Sequence, residues 1–214
     1  KKQIQELITK SMNVFKDTRE EFSTIGKIKE QFLIWKQRYP KSYTDTYCDL
    51  SLQKVFAPFV RLELLSWDPL GKTPFDQQSW FKELLDYGSV RVFNDLTSIQ
   101  DELIPELVKQ IIVPIVRHTM NKVYNPLSRK QTLNAQALID DVQTYVDPRS
   151  DDMKQIYFAI HERLEKYADD IIIPSFKQNQ EFAMRQFWSC IKLMRNVLSW
   201  KTKLAKNMLR SIII

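Results

Sequence analysis

The sequence predicts an all-α protein of stacked helical hairpins, arranged as a curved, α-solenoid-like array with proline-kinked helices. Three observations predict it. The 214 residues include only three glycines, Gly26, Gly71 and Gly88, with 43% hydrophobic and 12% aromatic residues, a composition that excludes disorder and argues against glycine-rich nucleotide loops and sheets. Apolar residues recur three and four apart over much of the chain, the spacing of a buried helical face. Finally, Pro58, Pro114 and Pro174 lie inside apolar runs, 56 and then 60 residues apart, and each removes a helical hydrogen bond. A chain of this length buries roughly 70% of its unfolded surface, enough for a hydrophobic core.

The elements follow in order. Ile4, Leu7, Ile8, Met12, Phe15 and Phe22 predict an amphipathic helix. A second helix runs through Ile28, Phe32, Trp35 and Tyr39 to a stop at Pro40, so residues 1–40 read as a helical hairpin leading into a domain of residues 41–214. Asp68-Pro69, Thr73-Pro74, Asn125-Pro126 and Asp147-Pro148 pair a capping side chain with proline and mark helix starts or turns. Thr97 with Gln100 forms a box-like start for a helix over Leu103–Val123, with Pro105 in its first turns, and Ser128 with Gln131 caps a helix towards Tyr145. The proline of the first apolar run leads on to Trp67-Asp68-Pro69-Leu70, that of the second to Tyr124-Asn125-Pro126-Leu127, a weak internal repeat consistent with stacked hairpins. From Glu181 to Ile213 a single amphipathic helix is expected. Phe187, Ile191, Met194, Val197, Leu198, Leu204, Ala205, Met208 and Ile212 share its apolar face, and Arg185, Lys192, Arg195, Lys203, Lys206 and Arg210 lie within about 80° on the opposite one.

Charge singles out that last segment. The chain carries +6 overall, and residues 181–214 hold seven Lys and Arg against one acid. The basic stripe is the candidate contact for RNA phosphate or an acidic protein segment; the alternative is a solvated helix face. No signature of an RRM, KH or zinc-finger module accompanies it.

Catalytic chemistry finds little support. Three isolated glycines make no phosphate-binding loop. His161-Glu162 opens like a zincin helix but has Glu165 where a second metal-binding histidine would stand. His118 lacks an identifiable nucleophile or acidic partner. The pairs Asp140-Asp141, Asp151-Asp152 and Asp169-Asp170 read as helix-terminal or solvated carboxylates, the alternative being a cation or a basic partner bound there. No enzyme, cofactor, metal or small-molecule substrate is expected. Cys48 and Cys190 fit no metal or redox spacing, which reads as a reduced intracellular protein, and no apolar run reaches the ~20 residues of a membrane span. Lys1-Lys2 at the start and the apolar Ile212-Ile213-Ile214 at the end read as a fragment of a longer chain.

Several segments together resemble a known family. The stretch Leu52–Leu70, with Pro58, Arg61, Trp67 and Pro69, followed by Trp80-Phe81, is similar to the GCFC domain of the GC-rich-sequence DNA-binding-factor-like proteins. Tyr124-Asn125-Pro126-Leu127-Ser128 with Gln131-Thr132, the Asp169–Pro174 segment and Arg185-Gln186-Phe187-Trp188-Ser189 resemble further family segments in the same order. Within the family the chain resembles the branch of paired-box-transcription-factor-binding proteins, with tuftelin-interacting proteins as more distant relatives. The resemblance implies a nuclear, non-catalytic scaffold of the intron-lariat spliceosome. Its implied partners are another GCFC-family or tuftelin-interacting-type protein and spliceosomal proteins including a DEAH-box helicase assembly. A transcriptional adapter that binds DNA or transcription factors through the basic helix is the alternative. The aromatic and proline motif residues are expected to pack. Trp188 and Trp200 fall towards the edges of the polar side of the last helix, as partly exposed indoles that stack or pack on a neighbour, and a core role for Trp67 and Trp188 is the reading that their replacement by alanine tests.

Overall fold

A computed structural model describes residues 2–11, 13–89, 102–172 and 179–213. Helices α1 (Lys2–Ser11), α2 (Ile25–Arg38), α3 (Pro40–Asp45), α4 (Cys48–Glu63), α5 (Ser79–Ser89) and α6 (Leu103–Leu107) are followed by a π-helical turn, Val108–Ile112. Then come α7 (Val113–Lys122), α8 (Arg129–Gln143), α9 (Asp151–Asp169), α10 (Gln180–Ser199) and α11 (Lys206–Ile213). No strand occurs among the described residues, as the all-α expectation requires. Nor is any described helix long and apolar enough to cross a membrane. The chain divides into two compact units, residues 1–68 with 73–111, and residues 69–72 with 112–214.

In the first unit, the N-terminal helix is shorter than the apolar spacing predicts. Helix α1 spans Lys2–Ser11, and among the described residues a 3-10 turn over Glu20–Phe22 is the one helical element between it and α2. Thr24 caps α2 by accepting from the Lys27 amide, and Pro40 both follows α2 and opens α3. Phe56 of α4, fully buried, packs edge-on against Phe32 of α2 and Tyr87 of α5 at 6.3 and 6.4 Å between ring centres. The buried hydroxyls of Tyr43 and Tyr87 share a hydrogen bond of 2.7 Å. Helix α5 begins under a carboxylate supplied from 16 residues away: Glu63 at the end of α4 accepts from the Ser79 and Trp80 amides at 2.7 and 3.0 Å. A helix N-terminus leaves amides without intrahelical partners, and the negative charge also suits the helix dipole.

The internal prolines act differently from the expectation that each kinks or breaks its helix. Pro58 lies inside a continuous α4. Pro114 follows the π turn, where bonding shifts from i+4 to i+5, so the loss of the proline N–H coincides with a local change of helix type rather than an interruption. Pro105 sits early in α6, where a missing N–H is harmless. Pro174, and the Thr97-Gln100 box, lie outside the described residues.

In the second unit, the Asx-Pro pairs form turns ahead of the caps rather than the caps themselves. Asn125 Oδ1 accepts from the Leu127 amide at 3.0 Å, and Asp147 Oδ1 from the Arg149 amide at 2.8 Å. Three residues after each Asx, a serine caps the next helix: Ser128 accepts from Gln131 and Ser150 from Met153. The return arm of the Ser128 box is displaced, since Gln131 Oε1 accepts from the Asn125 amide, 2.8 Å away, and thereby fastens the turn to α8. Helices α7 and α9 bury Val116, Met120, Ile156 and Ile160 completely. The short segment 69–72 docks on α8, whose Asn134 side chain donates to the carbonyls of Leu70 and Gly71 at 2.7 and 3.0 Å.

Candidate interaction surface

The C-terminal segment folds as two helices instead of one. After α10 the chain makes a 3-10 turn, Trp200–Thr202, and restarts at Lys206. Trp200 and Leu204, one at the start of the turn and one just after it, are both buried. The six cations are therefore divided among three settings. Arg185, Lys192 and Arg195 are exposed on α10; Lys206 and Arg210 are exposed on α11; Lys203 lies in the connection, its side chain 13% exposed and paired with Asp140. Arg185 reaches Glu181 at 3.4 Å, with both side chains in solvent. Lys192 and Arg195 have no ion pair among the described residues.

Helix α10 buries a face the sequence does not mark as its most apolar. Ala183, Leu193, Asn196, Val197 and Trp200 are buried, whereas Phe187, Ile191, Met194 and Leu198 are 39–54% exposed. The buried face is rotated about 100°, one residue's worth of helix, from the predicted one. Polar bonds explain the choice. Asn196 Nδ2 donates to the Pro126 carbonyl at 2.7 Å and Trp200 Nε1 to the Tyr124 hydroxyl at 3.2 Å, so α10 is held by the groups that satisfy the 124–126 turn. The same turn receives Arg163 of α9, whose Nε donates to the Tyr124 carbonyl at 2.8 Å.

The result is an exposed apolar stripe. Met184, Phe187, Trp188, Ile191, Met194 and Leu198 recur every three or four residues over four turns of α10 and stay 39–54% exposed. By helical geometry they span ~120° of its surface and about 21 Å of its length. Trp188, which the sequence sets towards the edge of the polar side, is 53% exposed and packs edge-on against Phe187 at 6.2 Å, outside the core. Arg195 falls inside the stripe's angular range and Lys192 and Arg185 along one edge of it.

The remaining motif residues are dispersed. Trp80 and Phe81 are buried in the first unit. Trp67 is half-buried, its Nε1 donating to the Thr73 carbonyl at 2.9 Å, with Phe75 edge-on at 6.4 Å. Pro69 is half-buried and Pro126 buried, whereas Pro58, Arg61 and Pro114 are exposed.

A second feature of the C-terminal unit is an open groove of about 1050 Å³ between α7, α9 and the start of α11. Its charged walls are mostly engaged: Arg117 donates to Gln155, Lys154 pairs with Asp151 at 2.8 Å, and Asn121 donates to Glu162 at 3.2 Å. His118 lines the groove and is exposed. His161 Nε2 is 2.9 Å from the Ser211 hydroxyl, and Nδ1 is 3.9 Å from Glu165. No group of three His, Cys, Asp or Glu arranged to hold a metal ion occurs among the described residues. Sequence reasoning set Trp188 at the edge of the polar side but missed the exposure of Phe187, Ile191, Met194 and Leu198, because the surface a helix presents depends on which side its neighbours occupy.

Comparison with known proteins gives the lineage. Residues 25–102 match the profile of the GC-rich sequence DNA-binding factor-like proteins, GCFC. The chain is 33% identical over 198 residues to the Arabidopsis thaliana transcriptional repressor ILP1, covering 87% of this chain and 22% of that protein. It is 32% identical over 206 residues to human PAX3- and PAX7-binding protein 1, covering 89% and 22%. Over 216 residues it is 26% identical to mouse Intron Large complex component GCFC2, covering 93% and 28%. The chain thus spans between a fifth and three-tenths of the length of these relatives. With the family profile on the first unit and the alignments running through both, the chain belongs to the GCFC family.

Proposed function

We propose that this chain is a docking part of a non-catalytic nuclear scaffold that serves the intron-lariat spliceosome during its disassembly. The observation that carries the reading is the α10 stripe: six large apolar side chains held in solvent on a helix whose opposite face is fixed in the core. Contiguous exposed apolar surface of this kind marks a protein-interaction site. The names of the relatives, one a component of an intron complex and one a protein that binds other proteins, support the setting. Its partners on this reading are another GCFC-family or tuftelin-interacting-type protein and the spliceosomal assembly of a DEAH-box helicase. The relative named as a transcriptional repressor favours a second reading, an adapter that meets DNA or transcription factors through its basic residues.

Affinity purification of the tagged full-length protein from nuclear extract, with and without nuclease, tests the two. Late spliceosomal proteins and excised lariats, with protein contacts that survive nuclease, are the expected result. Chromatin factors and DNA without lariats overturn it in favour of the adapter. Salt separates the modes as well, because phosphate contacts weaken steeply between low and physiological salt and apolar docking does not.

A further inference from the structure

We infer that the α10 stripe receives an acidic amphipathic helix from a partner protein. The inference rests on the docking role and names the chemistry of what docks. Met184, Phe187, Trp188, Ile191, Met194 and Leu198 repeat at helical spacing along a rod of four turns, which offers ridges and grooves for a second helix laid alongside. A strand or an irregular segment would match that spacing poorly. Charge then selects the occupant. Arg185 and Lys192 line one edge and Arg195 interrupts the stripe, while the only acid of α10 is Glu181 at its first turn. Lys192 and Arg195 have no ion pair among the described residues, so acids on a partner helix would meet cations not already engaged.

A second copy of this chain fits less well. Antiparallel pairing of two α10 helices about the stripe brings the cationic edge of each against that of the other, and like charges placed opposite are unfavourable. RNA fits less well too, because six apolar side chains lie where phosphates would need cations.

The test uses the full-length protein and three stapled, helical 18-residue peptides that share one Leu/Phe face and carry Glu, Gln or Lys along its flank. Fluorescence anisotropy at physiological salt reads binding. The Glu peptide is expected to bind, and the Lys peptide at least fivefold more weakly. Ile191→Asp should weaken the Glu peptide at least tenfold without moving the thermal midpoint, and Trp188→Ser provides the same test if Ile191→Asp fails to fold. The double variant Lys192→Glu/Arg195→Glu should invert the order of the Glu and Lys peptides. Equal binding of the two peptides, binding that survives both stripe variants, or no binding overturns the proposal. So does self-association of the protein, lost in Ile191→Asp, without peptide binding, which assigns the stripe to a second copy. Lariat complexes recovered by a protein that binds no peptide overturn this surface alone; peptide binding by a protein that recovers no splicing components overturns the splicing assignment alone.

Discussion

The indole N–H of Trp200 donates to the hydroxyl of Tyr124 across 3.2 Å, joining residues 76 apart in a site where both rings are fully buried. The rings meet edge-on, centres 6.2 Å apart. Thr132 donates to the Ser128 carbonyl at 2.9 Å, so the 2.8 Å contact between Tyr124 and Thr132 runs from tyrosine to threonine. The order is therefore Trp200, Tyr124, Thr132, Ser128, each hydroxyl accepting once and donating once. Replacing Tyr124 with Phe leaves a buried indole N–H unpaired, which costs about 1–3 kcal/mol. Trp200→Ala removes the ring and opens a cavity, at about 3–5 kcal/mol. Urea unfolding of the two variants should show this order, and a double variant should lose less than the sum, because the two groups share one bond.

Alkaline pH should weaken the same site. Burial raises the Tyr124 pKa above the ordinary tyrosine value, and its hydrogen bonds with Thr132 and Trp200 only partly offset that. The native state therefore holds the phenolic proton more tightly than the unfolded chain. The stabilisation is complete below the unfolded tyrosine value of about 10 and is lost as pH rises towards the higher folded value. Thermal midpoints measured from pH 8 to 11 should fall above about pH 10. Tyr124→Phe should flatten part of that fall, and the remainder belongs in part to Tyr157, whose pKa burial also raises.

Glu63 should matter more than its position at a helix end implies. Its carboxylate holds the first amides of α5. Glu63→Ala should destabilise the first unit by about 1–2 kcal/mol, as loss of a helix cap does, with Glu63→Gln intermediate. Circular dichroism through a denaturant titration measures both.

Trp188→Ala and Trp80→Ala should separate a surface tryptophan from a core one. Trp188 is 53% exposed and Trp80 fully buried. The first change should leave the thermal midpoint nearly unaltered, and the second should cost about 3–5 kcal/mol. Equal losses would return Trp188 to the core.

The six cations should not behave alike under charge reversal. Lys192→Glu and Arg195→Glu alter exposed side chains and should keep stability within about 0.5 kcal/mol. Lys203→Glu sets a second acid against Asp140 in a crowded turn and should cost on the order of 1 kcal/mol. Adding Asp140→Lys should restore part of the loss, read by thermal unfolding.

The sequence by itself determined the all-α class, the cap at Ser128 and the stop at Pro40, because these follow from glycine scarcity, a local side-chain-to-backbone bond and the missing proline N–H, whereas the caps at Thr24 and Ser150 came from the structure. It also determined the family, through short ordered motifs. The tertiary structure alone decided which side of α10 faces the core, where the C-terminal helix breaks, and which cation is engaged. Periodicity reports that a helix has an apolar face without saying whether other apolar positions also remain in solvent. Asn196 and Trp200 set the orientation by reaching the Pro126 carbonyl and the Tyr124 hydroxyl, 70 and 76 residues away. Those bonds satisfy buried polar groups that have no local partner, and they turn Phe187, Trp188 and Ile191 outward.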